Sequence, residues 1–206
     1  KYSMYRPINQ RVSILVGIAI INISLFYIVS ISRVPHYTKG YEEKLEAASL
    51  MKKSMEFILE YQMKRDDFNI DKEDDPYESG IIGPATTLIT TSLANLRSKQ
   101  TTINPNLSAL VVDLFLDAGL QKGDTIAIGL TGSLPAVNLA VLTVCEVMDI
   151  KPIIISSVGS SRWGATDPNF TWLDMENLLV NSGLLNNRSL AASLGGRGDR
   201  GKGLKT

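Results

Sequence analysis

The chain holds one cysteine, Cys145, and one histidine, His36, among its 206 residues. A lone cysteine excludes an intrachain disulfide framework, and one cysteine with one distant histidine cannot build a zinc site or a thiolate–imidazole pair. Cys145 lies within the apolar run "AVLTVCEVM" and reads as a small buried hydrophobe. Net charge is also lacking. The 21 Lys and Arg balance the 21 Asp and Glu, which gives no general electrostatic reason to expect nucleic acid as a partner. The familiar phosphate and nucleophile motifs are missing as well. Residues 126–142, "IAIGLTGSLPAVNLAVL", carry Gly129, Thr131, Gly132 and Ser133 between an apolar run and a helical pattern. They match neither G-x-G-x-x-G, nor a Gly-Lys-Ser/Thr phosphate loop, nor G-x-S-x-G. No histidine follows Ser133, so a Ser-His-Asp triad is not available within this chain.

What is present begins with a long uncharged run. "VSILVGIAIINISLFYIVSI", residues 12–31, contains no charged residue, and at ~1.5 Å per helical residue it spans roughly the 30 Å of a bilayer's hydrocarbon core. Its polar members Ser13, Asn22, Ser24 and Ser30 can bond back to the helix or to a neighbouring helix. "SRVPHYTKGYEEK" follows without a small-residue cleavage pattern, which predicts an uncleaved, single-pass signal anchor in the cell membrane over residues 12–32. Lys1, Arg6 and Arg11 precede the span, and Arg33 and Lys39 follow it. That bias predicts a cytoplasmic tail over residues 1–11 and an extracytoplasmic main domain.

Residues 33–79 form a second region, an amphipathic helix followed by an acidic loop. Leu45, Ala48, Met51, Met55, Ile58, Leu59 and Met63 recur at helical steps opposite Glu and Lys residues. "DDFNIDKEDDPYESG" then places Asp67, Asn69, Asp71, Asp75 and Glu78 at positions 1, 3, 5, 9 and 12 of a calcium-loop template. Lys72 replaces the turn glycine and Asp74 the apolar docking residue, so the expectation is a solvated acidic loop with no metal.

From residue 80 to 186 the composition predicts a layered α/β domain. Asn104 is expected to cap a helix with Pro105 at its first position, Gly119 to end it, and "KGD" at 122–124 to turn into the strand "TIAIGL". A helix from about Pro135 to Met148 and a strand "KPIIISSVG" complete a parallel, Rossmann-like βαβ unit, expected to be buried on both faces. A further helix starts near Thr171 or Asp174 and stops at Gly183. Residues 187–206, glycine-rich with Arg188, Arg197, Arg200 and Lys202, read as a basic end and an incomplete pattern. Either a solvated, disordered segment or a flexible polyanion-binding tail fits that composition.

In open α/β sheets, ligands sit beyond the carboxyl ends of parallel strands, which directs attention to two loops. The first offers Thr131, Gly132 and Ser133 at a helix N-terminus, where free N–H groups favour an anion; plain strand-to-helix punctuation is the alternative reading of the same residues. The second offers Ser160, Ser161 and Arg162, the last able to grip a carboxylate or phosphate in bidentate fashion. Trp163 and Trp172 read as packing residues, and Asp174 and Glu176 as capping acids.

Taken together, "TTSLANLRSKQTTINPNLSALVVDLFLDAGLQKGDTIAIGLTGSLPAVNLAVL", "SSVGSSRWGATDPNFTWLDME", "DPYESGIIG" and "SLGGRGDRGKGL" resemble the bacterial poly-γ-glutamate system protein family. The resemblance implies an accessory part in making or exporting that capsular polymer, with synthase and export membrane proteins, the anionic polymer and the lipid bilayer as partners and no cofactor. It narrows the expected ligand to a carboxylate, contacted by Thr131, Gly132, Ser133, Ser160, Ser161 and Arg162, with the turn Thr101, Thr102 and Asn104 as a further contact. The alternative is a hydrolase or transferase acting on the polymer, with Ser133 or Ser161 as nucleophile and Asp167 or Asp174 assisting. That alternative lacks a visible base.

Overall fold

The computed structural model describes residues 12–32 and 37–204, and the chain divides into two compact units, Lys1–Thr38 and Lys39–Thr206. Expectations that concern Lys1, Arg6, Arg11, Arg33, Pro35 and His36 lie outside the described residues.

In the first unit, α1 (Val12–Ile31) is a 20-residue helix with no buried residue, long and apolar enough to cross a membrane. Its internal amide is satisfied locally: Asn22 Nδ2 donates to the Ile18 carbonyl at 2.8 Å, the i−4 bond a helix offers in an apolar solvent.

The second unit opens with α2 (Tyr41–Gln62), which buries Ala47, Met51, Ser54, Met55, Ile58 and Gln62. The expected stripe is therefore right at its centre and rotated at its ends, where Leu45 and Met63 are exposed. Small Ala47 and Ser54 take the inner face because α2 packs closely on two helices, α4 (Leu107–Asp117) and α5 (Pro135–Val147). The Ser108 hydroxyl donates to Met51 Sδ at 3.0 Å and pairs with the Thr143 hydroxyl at 3.1 Å, whereas the buried Ser54 hydroxyl finds no hydrogen-bond partner among the described residues.

Between α2 and α4 lie β1 (Thr90–Ser92) and the short helix α3 (Leu96–Thr102), capped where Asn95 Oδ1 accepts the Arg97 N–H at 2.8 Å. The α4 start differs from expectation. Asn104 Oδ1 accepts the Asn106 N–H at 3.0 Å, so Asn104 closes a turn of its own and the helix begins at Leu107.

The predicted βαβ unit is present. β2 (Thr125–Thr131) leads through α5 to β3 (Lys151–Ser157), and the two pair in parallel from Thr125 opposite Lys151 to Thr131 opposite Ser157. Burial on both faces is not observed. Ile154 and Leu130 face the core, whereas Ile153 is 48% and Ile155 55% exposed, because the helices of this unit cover only one side of the sheet. β4 (Ser160–Ser161) pairs in parallel with β1 as a separate ribbon, and α6 (Trp172–Asn181) follows. Its N-terminus carries a capping box of Thr171 and Asp174, in line with the expected start.

The glycine-rich end is ordered against the domain. β5 (Ala191–Ser193) adds to β3 as the third parallel strand, giving the order β2-β3-β5, and a 3-10 turn spans Arg197–Asp199. Two carboxylates hold the approach to β5. Glu146 accepts four hydrogen bonds from the backbone and side-chain N–H groups of Asn186 and Asn187. Glu176, expected as a capping acid, is instead buried and accepts both the N–H and the hydroxyl of Ser189, at 3.1 and 2.7 Å.

Candidate functional site

The register of the three-stranded sheet places Thr131, Ser157 and Ser193 side by side at the carboxyl ends of β2, β3 and β5. A crevice of about 370 Å³ opens there, lined among others by Ser92, Thr131, Ser133, Ser157, Arg197 and Asp199. The carboxyl ends of parallel strands are where open α/β sheets hold ligands, although the sequential order β2-β3-β5 gives this sheet no reversal of its crossovers. Thr131 and Ser133 form a small hydroxyl turn, in which Thr131 Oγ1 accepts the Ser133 N–H at 3.2 Å and donates to Ser133 Oγ at 3.3 Å. Arg197 makes no ion pair with a described carboxylate, which leaves a guanidinium beside these hydroxyls.

The loop after β2 and the segment 159–166 are pressed together. Gly132 donates its N–H to the Ser157 carbonyl at 3.0 Å, and its own carbonyl accepts from Ala165 N–H at 2.7 Å and Ser160 Oγ at 2.9 Å. A Cβ on Gly132 would stand 2.7 Å from the Val158 carbonyl oxygen. Gly132 is thus required for close approach of two backbones, and both of its polar groups are occupied within the fold. Ser160 is likewise taken up, fully buried with its hydroxyl on the Gly132 and Ser161 carbonyls.

Other expected site residues lie elsewhere. Arg162 is not among the crevice-lining residues; its guanidinium sits 6.0 Å from the Trp163 ring centre. Thr101 and Asn104 line a different and larger hollow, about 1110 Å³, between α2, α3 and the acidic loop. Thr101 and Thr102 turn their hydroxyls back to the Arg97 and Lys99 carbonyls, at 2.8 and 2.7 Å, as helix-end threonines do. Asp167 accepts from Arg65 at 2.8 Å, and Asp174 serves the capping box, so neither assists a serine. Trp172 is core, and half-buried Trp163 donates its indole N–H to Asp74 at 2.9 Å. Cys145 is fully buried, and burial together with the Glu146 charge pushes its thiol up to about 12.

The acidic loop holds its carboxylates apart. Asp67 pairs with Arg65, Asp71 accepts the N–H groups of Glu73 and Asp74, Asp75 accepts from Ser79 and Gly80, and Glu78 pairs with Lys72. No group of three or more His, Cys, Asp or Glu side chains arranged to hold a metal occurs among the described residues.

One residue of the site has no counterpart in the sequence reading. Lys99 of α3 is only 5% exposed, and its ammonium donates to the Ser133 carbonyl and, at 2.8 Å, to Ser161 Oγ. None of the ion pairs among the described residues involves it. Burial pushes its pKa below the ordinary lysine value, since removal from water penalises the charged form. A lysine in a short polar helix reads as solvated, and nothing in "LRSKQTT" signals otherwise.

No protein-family model, curated protein or solved structure matches the chain.

Proposed function

We propose that this protein is a membrane-anchored accessory component of poly-γ-glutamate synthesis or export that holds carboxylates of the polymer, or of a glutamate-derived ligand, at the strand-end crevice. The observation that carries the reading is the crevice lining: Ser92, Thr131, Ser133 and Ser157 together with Arg197, which forms no ion pair with a described carboxylate, while the lining carboxylate of Asp199 is engaged by the Gly195 N–H at 3.0 Å. Hydroxyl donors around a guanidinium suit a carboxylate, whose oxygens accept from both. The apolar α1 tethers the protein to the bilayer, and the charges flanking the span favour the main unit outside, beside the synthase and export proteins. The family resemblance supplies the pathway, and the crevice supplies the chemistry.

The test is binding of γ-linked glutamate oligomers to the full chain in lipid nanodiscs. Arg197→Gln removes a charge-assisted contact of about 1.5–3 kcal/mol and is expected to weaken binding roughly tenfold or more, with Thr131→Val weakening it less. Equal affinity of Arg197→Gln and wild type would overturn the reading.

A further inference from the structure

The buried lysine contacts Ser133 and Ser161, with Ser160 adjacent to the latter in the chain, and only one of the three hydroxyls is placed to use it. Ser160 Oγ donates to two carbonyls, so its proton is already held. Ser133 Oγ accepts the Ser161 N–H at 3.0 Å and the Thr131 hydroxyl, and no base bonds to it. Ser161 Oγ alone lies at hydrogen-bond distance, 2.8 Å, from an amine. That amine is buried without a carboxylate, a setting that costs several kcal/mol while the charge remains and is relieved when the proton leaves. A neutral Lys99 then receives the Ser161 O–H as a donor through the same contact.

Two further features lie beside the pair. Two residues after this serine, Trp163 holds φ 59°, a left-handed conformation it shares with Glu78, Asp149 and Asp199. Ser133 also links the pair to the crevice: its carbonyl accepts from Lys99 and its hydroxyl from the Ser161 N–H, and it is a lining residue, whereas buried Ser161 and Lys99 lie behind the lining.

We propose that Ser161 and Lys99 form a nucleophile–base pair for acyl transfer, acting on an amide or ester of a carboxylate-bearing acyl group seated at the crevice. As Ser161 Oγ bonds to the acyl carbon, neutral Lys99 Nζ takes the hydroxyl proton. The tetrahedral adduct collapses, the bond to the leaving amine or alcohol breaks, and Lys99 returns the proton to that leaving group. Water, or an acceptor amine, attacks the Ser161 ester; Lys99 takes the incoming proton and passes it to Ser161 Oγ, which restores both groups. The activity goes beyond carboxylate binding, and the two are separable: oligomer binding without acylation of Ser161 leaves the binding reading standing and removes this one.

The native cysteine is buried and stays protonated at neutral pH, so Ser161→Cys in the full chain gives a clean reporter. At pH 7 its alkylation by iodoacetamide is expected to run at least tenfold faster than in the Ser161→Cys, Lys99→Met double variant, because Lys99 favours the thiolate. Equal rates, or an introduced thiol as inert as that of Cys145, would overturn the proposal. A second measurement needs no Lys99 variant. Wild-type protein incubated with p-nitrophenyl acetate is expected to carry an acetyl ester on Ser161 by peptide mass mapping, and absence of that adduct overturns it equally.

Discussion

The acidic segment 66–79 and the paired loops after β2 and β3 each present polar side chains at a spacing that invites a ligand, and they fold to opposite results. In the acidic segment every template carboxylate has acquired a partner of its own, among them Arg65 for Asp67 and Lys72 for Glu78. Around the paired loops, the Lys99 amine from α3 and the Arg197 guanidinium from the 3-10 turn have no described carboxylate as ion-pair partner, against a background of hydroxyls. The contrast shows that spacing along the chain nominates residues, whereas a site requires convergence with some capacity left over. Carboxylates that accept hydrogen bonds fasten a loop, as Asp75 does through Oδ2 although its Oδ1 is buried without a partner among the described residues; a buried ammonium with no carboxylate is relieved by a ligand or by proton loss.

Three measurements probe that contrast. The largest effect is expected at the crevice loop itself: Gly132→Val forces a branched side chain against the Val158 carbonyl and the Ser160 side chain and is expected to destabilise the unit by about 3 kcal/mol or more in denaturant unfolding. A near-neutral result would mean that the two loops are not interlocked. In the acidic loop, Asp75 is buried and accepts from Ser79 Oγ and Gly80 N–H, both at 2.9 Å. Asp75→Ala is therefore expected to cost about 2 kcal/mol through two unmet donors, and stability unchanged by it would remove the structural role assigned to that carboxylate.

The smallest effect is a pH slope. With its folded pKa depressed, Lys99 releases its proton in the folded protein before it does in the unfolded chain. Between the two values the unfolded chain binds more protons, so stability rises with pH there, by about 1.4 kcal/mol per unit of depression, and is flat below the folded value. Wild type is thus expected to gain stability relative to Lys99→Met as pH climbs toward the ordinary lysine range. Parallel pH curves for the two proteins would show that burial does not perturb this amine.

The elements that were legible in advance are those with a strong periodic signal or a single dominant residue. The run from Val12 to Ile31 is helix, Thr125–Thr131 and Lys151–Ser157 are parallel strands around an α5 that begins at Pro135, and Thr171 with Asp174 caps α6. Short elements escaped. β1 and β5 have three residues each and β4 two, too few for a period to be read, and they exist because a neighbouring strand offers hydrogen bonds. The covered face of the sheet was equally out of reach: Ile153 and Ile154 are adjacent and chemically identical, yet one is exposed and the other fully buried.

The same division runs through the candidate site. That a hydroxyl-rich turn closes the β2 strand and meets a helix follows from local chemistry, since Gly, Thr, Ser and Pro restrict a short segment whatever surrounds it. Which of those hydroxyls is free, which glycine is held for space, and that Arg197 from the far end of the chain joins Thr131 depend on contacts between residues distant in the chain. Lys99 is the clearest case. As a residue type it belongs in water, and only the packing of α3 against the Ser133 and Ser161 loops takes it out of water and turns a solvated cation into a buried amine beside a serine.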